Sequence, residues 1–184
     1  MAKKKIIGSR EKIILKAIGK GLFLASILVA PNLAKLGKLF DQNKYYVEKR
    51  IHNLENKGYI FLSGDYIKLT LRGKKLLSII ECEEIEIDKS KKWNGIWQIV
   101  AYDVPNDKNQ ERNFFRDKLK GWGFYKIQKS IWILPYPCQE EIAIVAQSLS
   151  INPHVLYFTS RHIPNELLYL KKFGLAEDFI PDKP

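Results

Sequence analysis

Residues 96–135 read IWQIVAYDVPNDKNQERNFFRDKLKGWGFYKIQKSIWILP, and within them the hydrophobic period changes twice. Ile99 to Tyr102 form a short apolar run of the kind that fills a buried strand, and Asp103 stands where that strand should end. Pro105, Asn106 and Asp107 then mark a turn. From Asn109 the apolar residues recur at helical spacing, and Gly123 closes that helix. FYKIQ and SIWILP return to short β-type runs rich in branched and aromatic residues.

Beyond this stretch, QEEIAIVAQSL (139–149) reads as a second helix and HVLYFTS (154–160) as a fourth strand. The order is βαββαβ, the ferredoxin-like arrangement: an antiparallel sheet backed by two helices on one face. Phe114, Phe115 and Leu119 of the first helix, with Ile142, Val145 and Leu149 of the second, are expected to cover that face.

Charge divides the 184 residues unevenly. Residues 1–80 hold 17 Lys/Arg against 5 Asp/Glu, a surplus of +12. ECEEIEID (81–88) holds five acids and no base, and residues 89–184 hold 14 bases against 10 acids. A positive field so concentrated attracts polyanions, which argues about partners and not about fold. Cys82 and Cys138 fit neither a disulfide framework nor a four-ligand zinc site, so a reducing, cytoplasmic setting is expected. MAKKK followed by GLFLASILVA (21–30) imitates a secretion signal. The apolar run is too short to span a bilayer and starts too far from the basic residues, so a buried helix and no membrane association are expected.

Within the basic part, Ser9 is the expected N-cap of a first helix, with Glu11 in its first turn. Ile14, Ile18 and Leu22 form its apolar stripe, and Lys12, Lys16 and Lys20 the opposite one. Pro31 interrupts the pattern and NLAKLGKLF reads as a short second helix. KYYVEKRIHNLENKG gives a third, closed by Gly58. Val47, Ile51 and Leu54 share its inner face, and Tyr45, Lys49, His52 and Asn56 its outer face, with Glu48 and Asn53 beside them. YIFLSGDYIKLT carries a hairpin signal at Ser-Gly-Asp, and LRGKKLLSII returns to helix. The chain is therefore expected to be α+β: a winged helix-turn-helix domain over 1–80, an acidic linker over 81–92 that is either solvated or a short edge strand at 84–88, and a ferredoxin-like domain with a C-terminal tail over 93–184.

Two resemblances attach to these residues. Arg50, Leu54, Gly58, Tyr59, Ile60, Leu69, Thr70 and Gly73 resemble the winged-helix regulator pattern of a recognition helix, "L..KGYI", a wing and "LT..G". Tyr102, Asp103, Gly123, Phe124, Gln128, Ser130 and Trp132 resemble the ferredoxin-like CRISPR-associated adaptation protein. The leading "W.G.W..V.YD.P", carried by Trp93, Gly95, Trp97, Val100, Tyr102, Asp103 and Pro105, is closer to the phenylacetate-degradation repressor (PaaX) family, in which the module follows a winged helix.

What the resemblance implies is a dimeric transcriptional regulator, a repressor, that reads double-stranded DNA with its winged helix and pairs as a homodimer through its second domain. A recognition helix presents polar, basic and aromatic groups to the major groove. Lys44, Tyr45, Lys49, Arg50, His52, Asn53, Lys68 and Arg72 are the expected DNA contacts. The sequence specifies no small-molecule effector.

No nucleophilic triad, phosphate loop or metal-ligand spacing is present in the sequence, and no catalytic residue, metal ligand or cofactor is expected on the primary reading. Asp103 is the one carboxylate with a rationale. Paired across a dimer, two copies could hold one magnesium ion, and in the CRISPR-associated relatives this aspartate is implicated in metal-dependent cleavage of nucleic acid. A metal-dependent nuclease or CRISPR adaptation component, with Mg as cofactor and Asp103 as catalytic ligand, is the alternative. On the primary reading Asp103 ends a strand and hydrogen-bonds the Pro-Asn-Asp turn, and the nearby acids Asp107 and Glu111 are only partly offset by Lys108 and Arg112.

Overall fold

A computed structural model describes residues 7–20, 44–63, 66–90 and 92–176. The described chain is α+β and divides into two compact units, 1–81 and 82–184. The apolar stretch 21–30 and the short helix expected over 32–40 lie outside the described residues. No described helix is long and apolar enough to cross a membrane.

In the first unit, helix α1 (Ser9–Gly19) and helix α2 (Lys44–Asn56) flank a hairpin of β1 (Ile60–Ser63) and β2 (Tyr66–Leu69), and α3 (Leu71–Glu84) follows. Ile14, Leu15 and Ile18 of α1, Val47, Ile51 and Leu54 of α2, Ile60 and Ile67 of the hairpin, and Leu76 and Ile80 of α3 form one core. Gly8, not Ser9, caps α1. The Glu11 carboxylate reaches back to accept the Gly8 N–H at 2.7 Å, so the acid does the capping that the serine hydroxyl was expected to do.

The joint between α2, the hairpin and α3 explains the spacing of "KGYI" and "LT..G". Gly58 leaves α2 at φ +70°, and the Tyr59 N–H returns to the Leu54 carbonyl at 2.9 Å. Thr70 fastens the joint: its N–H donates to the Tyr59 carbonyl at 3.1 Å, its hydroxyl to the Gly58 carbonyl at 2.7 Å, and its Oγ1 accepts the Gly73 N–H at 3.0 Å. It thereby caps α3 and ties the hairpin shut. A Cβ on Gly73 would sit 1.8 Å from the Tyr59 carbonyl oxygen, so only glycine permits this approach.

The second unit runs β3 (Trp97–Tyr102), α4 (Asn109–Gly121), β4 (Tyr125–Gln128), β5 (Ile131–Leu134), α5 (Gln139–Ser148) and β6 (Val155–Ser160). All pairings are antiparallel and the sheet order is β4-β5-β3-β6, with β3 central and β6 at an edge. The expected βαββαβ order is thus present. Phe115, Leu119, Ile142, Val145 and Leu149 are buried as expected, whereas Phe114 is only half-buried.

Two features differ from expectation. NELLYLKKFG, which falls after the βαββαβ pattern, forms a further helix, α6 (Glu166–Phe173), on the opposite face of the sheet. Tyr169 and Leu170 of α6 cluster with Trp97, Ile99 and Ile133, and the Trp97 Nε1–H donates to Glu166 at 2.7 Å. Trp93, 4.8 Å from Trp97 between ring centroids, extends that cluster. The sheet therefore has helices on both faces. The acidic stretch is not solvated throughout either. Its first residues complete α3, Ile87 is buried, and the Ile85 carbonyl accepts the Trp122 Nε1–H at 2.9 Å. Lys118 reaches the Glu83 carbonyl at 2.9 Å, so buried apolar and backbone groups hold a segment whose charge alone suggested solvent.

Candidate nucleic-acid interface

In the first unit, α2 turns Tyr45, Lys49, His52 and Asn53 outward as its period dictates, and all are exposed. Tyr46, not singled out from the sequence, is also 54% exposed and meets Tyr45 edge-to-face, with centroids 5.7 Å apart. The two rings stand together because one flanks the outer face and the other lies on it. His52 lies 3.6 Å from Glu55, one turn on. Arg50 departs from the expected set: it flanks the inner face, half-buried, with its Nε buried and unbonded. Lys68 projects from β2, and Arg72 lies 4.9 Å over the Tyr59 ring. Lys44 opens α2, and its side chain lies outside the described residues. The structure thus brings Tyr45, Tyr46, Lys49, His52 and Asn53 onto one helical surface, with Lys68 and Arg72 on the elements that follow.

In the second unit, Asp103 leaves β3 with its N–H donating to the His154 carbonyl at 2.9 Å. Its carboxylate makes no hydrogen bond or ion pair among the described residues, so the expected bond into the Pro105–Asn106–Asp107 turn is not formed. The strand end is held by backbone, which frees the exposed side chain. Asp103 borders a cleft of about 570 Å³ lined by Tyr102, Asp103, Val104, Asn106, Arg112, Arg116, Lys126, Lys129 and Ser130. A shallower depression of about 420 Å³, reaching Pro153, His154 and Leu156, lies on its other side. No group of three or more His, Cys, Asp or Glu residues able to hold a metal occurs among the described residues.

The cleft corrects a reading made from neighbouring residues alone. Asp107 and Glu111 are close to Asp103 in sequence, but the fold brings four cations to the same cavity. Arg112 and Arg116 are one helical turn apart on α4, Lys126 lies on β4, and Lys129 in the turn to β5. The single legible signal was the i, i+4 spacing of the two arginines. Burial pushes the Tyr102 phenol upward, against the pull of Arg116 and Arg112.

The family description "PaaX protein central Cas2-like domain" matches residues 90–167. Those residues are similar to the central domain of the PaaX family. No curated protein and no solved structure matches the chain. In this PaaX-type domain the "W.G.W" and "YD.P" residues have separable tasks. Trp93 and Trp97 build the cluster under α6, Gly95 turns the chain at φ +78°, and Tyr102 packs edge-to-face on Phe115 at 5.4 Å. Asp103 alone among them presents an unbonded functional group to a cavity.

Proposed function

We propose that the chain is a dimeric DNA-binding transcriptional regulator, a repressor, that reads duplex DNA with a winged helix formed by its first unit. The observation that carries this reading is the outer face of α2, where aromatic, amide, imidazole and ammonium groups stand together shortly before a hairpin that carries Lys68. Such groups at a helix surface can reach base edges, while Lys68 and Arg72 suit phosphate. The PaaX-type second unit supports the regulatory assignment. The partner in the dimer is a second copy of this chain. Leu156 (66% exposed) and Phe158 (47% exposed) on the edge strand β6 offer it apolar surface beside unpaired backbone. Two buried free cysteines suit the cytoplasm.

The test is selection of bound duplexes from a random pool, followed by anisotropy on preferred and random sites. Tyr45→Ala, Lys49→Ala and His52→Ala should weaken the preferred site more than the random one, by about 1–3 kcal/mol for a residue that reads a base. Equal losses on both would remove the readout role.

A second reading, metal-dependent cleavage of nucleic acid, is favoured by one observation: the unbonded Asp103 carboxylate beside a cationic cleft. Nuclease activity with magnesium or manganese that vanishes in a folded Asp103→Asn protein would establish it. The regulator reading expects no cleavage above background by either protein.

A further inference from the structure

We propose that the cleft formed by Arg112, Arg116, Lys126 and Lys129 in the second unit is a binding site for a phosphate-bearing ligand, separate from the DNA-reading surface of the first unit.

Three observations carry this. First, the cations converge from three consecutive elements onto one concavity of about 570 Å³, the size of a site for a nucleotide-sized molecule or a short run of phosphodiester. Second, little negative charge opposes them. Arg112 is gripped by neutral oxygens, the Val104 carbonyl (3.4 Å), Asn106 (3.3 Å) and Asn109 (2.9 Å), which orient its fork and leave its charge intact. Arg116 is held by Asn113 at 2.9 Å and by Asp117 at 3.4 Å, and its Nε is buried without a partner. Among the described residues no carboxylate pairs with Lys126 or Lys129. Third, Ser130 and Asn106 add neutral hydrogen-bonding groups to the wall.

Four like charges in one concavity repel each other, and low-dielectric walls focus their field outward. An anion relieves that repulsion. Oriented guanidinium forks match phosphate oxygens bidentately, and lysines add point charge. A phosphate fits better than a lone carboxylate because it spreads charge over several oxygens that the four cations can share. Asp103 at the rim is the one opposing charge that lines the cleft, and it limits affinity instead of providing it.

The phosphate could be that of a free small molecule or of a nucleic-acid backbone, and the experiment separates them. Full-length protein carrying Lys49→Ala and His52→Ala, to blunt the first unit, is titrated at constant ionic strength with pyrophosphate, ATP and a mixed-sequence duplex. Melting temperature and calorimetric heat are the readouts. Saturable binding of at least one probe is expected, weakened tenfold or more by Lys126→Glu with Lys129→Glu. Both lysines are exposed, so folding should be retained, and an unchanged circular dichroism spectrum checks this. Asp103→Asn should tighten binding in metal-free buffer by about three- to fivefold, as loss of one opposing charge requires. Competition of ATP by duplex assigns the site to nucleic-acid backbone. ATP binding that duplex leaves untouched assigns it to a free phosphorylated ligand. Absence of saturable binding, or binding indifferent to the lysine reversals, overturns the proposal.

Discussion

At the scale of single residues, two glycines in the first unit separate steric from conformational constraint. Gly58 has a positive φ but open space around its Cβ position, whereas Gly73 has its Cβ position 1.8 Å from the Tyr59 carbonyl. Gly58→Ala should cost about 1–2 kcal/mol, the penalty of a left-handed alanine. Gly73→Ala must displace backbone and break the Thr70 joint, so its cost should reach the top of the range of about 1–3 kcal/mol for overpacking, or exceed it. Urea unfolding of the two variants checks the order, and the reverse order would contradict the described joint.

In the second unit, burial and then Glu141 push the Cys138 thiol up to about 12, and burial and Cys138 push the Tyr157 phenol up to about 12. Both groups are neutral when protonated, and the unfolded chain ionises first, from the ordinary values of 9.0 and 10.0. Their contribution to stability is therefore complete below about pH 9 and falls as pH rises toward 12. Thermal melts of wild type between pH 8.5 and about 11 should drop more steeply than those of Cys138→Ala with Tyr157→Phe. Parallel curves would remove the buried pair as the cause. Asp103→Asn should leave the melting temperature unchanged at pH 7, because its carboxylate holds no described group.

At the scale of elements, α6 is the addition that changes the character of the sheet. Leu170 is fully buried against Trp97, Ile99 and Ile133, and Glu166 accepts the Trp97 indole N–H. Leu170→Ala should destabilise the second unit by about 2–5 kcal/mol, as cavity formation in a closed core requires. Tryptophan fluorescence should follow the loss, since Trp97 and Trp93 lie in the same cluster. A cost under about 0.5 kcal/mol, typical of a surface site, would mean that α6 is not docked on the sheet.

At the scale of the whole molecule, the positive surplus of residues 1–80 predicts an affinity for duplex DNA that falls steeply with salt. If two copies pair through β6, Leu156→Glu with Phe158→Glu should turn a dimer into a monomer in light scattering and cost half-site spacing in selected DNA. A dimer that persists in this variant would move the interface elsewhere on the chain.

Much of the second unit was legible as sequence because its periods are local. The apolar run of residues 97–102 and the helical spacing over 109–121 are set by which side chains must leave water, and they appear in any window of that length. The glycine and threonine punctuation of the first unit was legible for the same reason, although only the folded joint shows that Gly73 answers to the Tyr59 carbonyl. The cap on α1 was misplaced by one residue because Ser9 and Glu11 both can cap, and geometry chose the acid. What tertiary structure alone decided depends on residues far apart in the chain. Ile85 finds Trp122, and Glu166 finds Trp97, across separations no local pattern encodes. Around Asp103 the nearest charges in sequence are partly acidic, but antiparallel pairing of β4 and β5 beside α4 carries Lys126 and Lys129 to Arg112 and Arg116. Charge counted along a chain ignores where strands return, and electrostatic fields depend on distance in space.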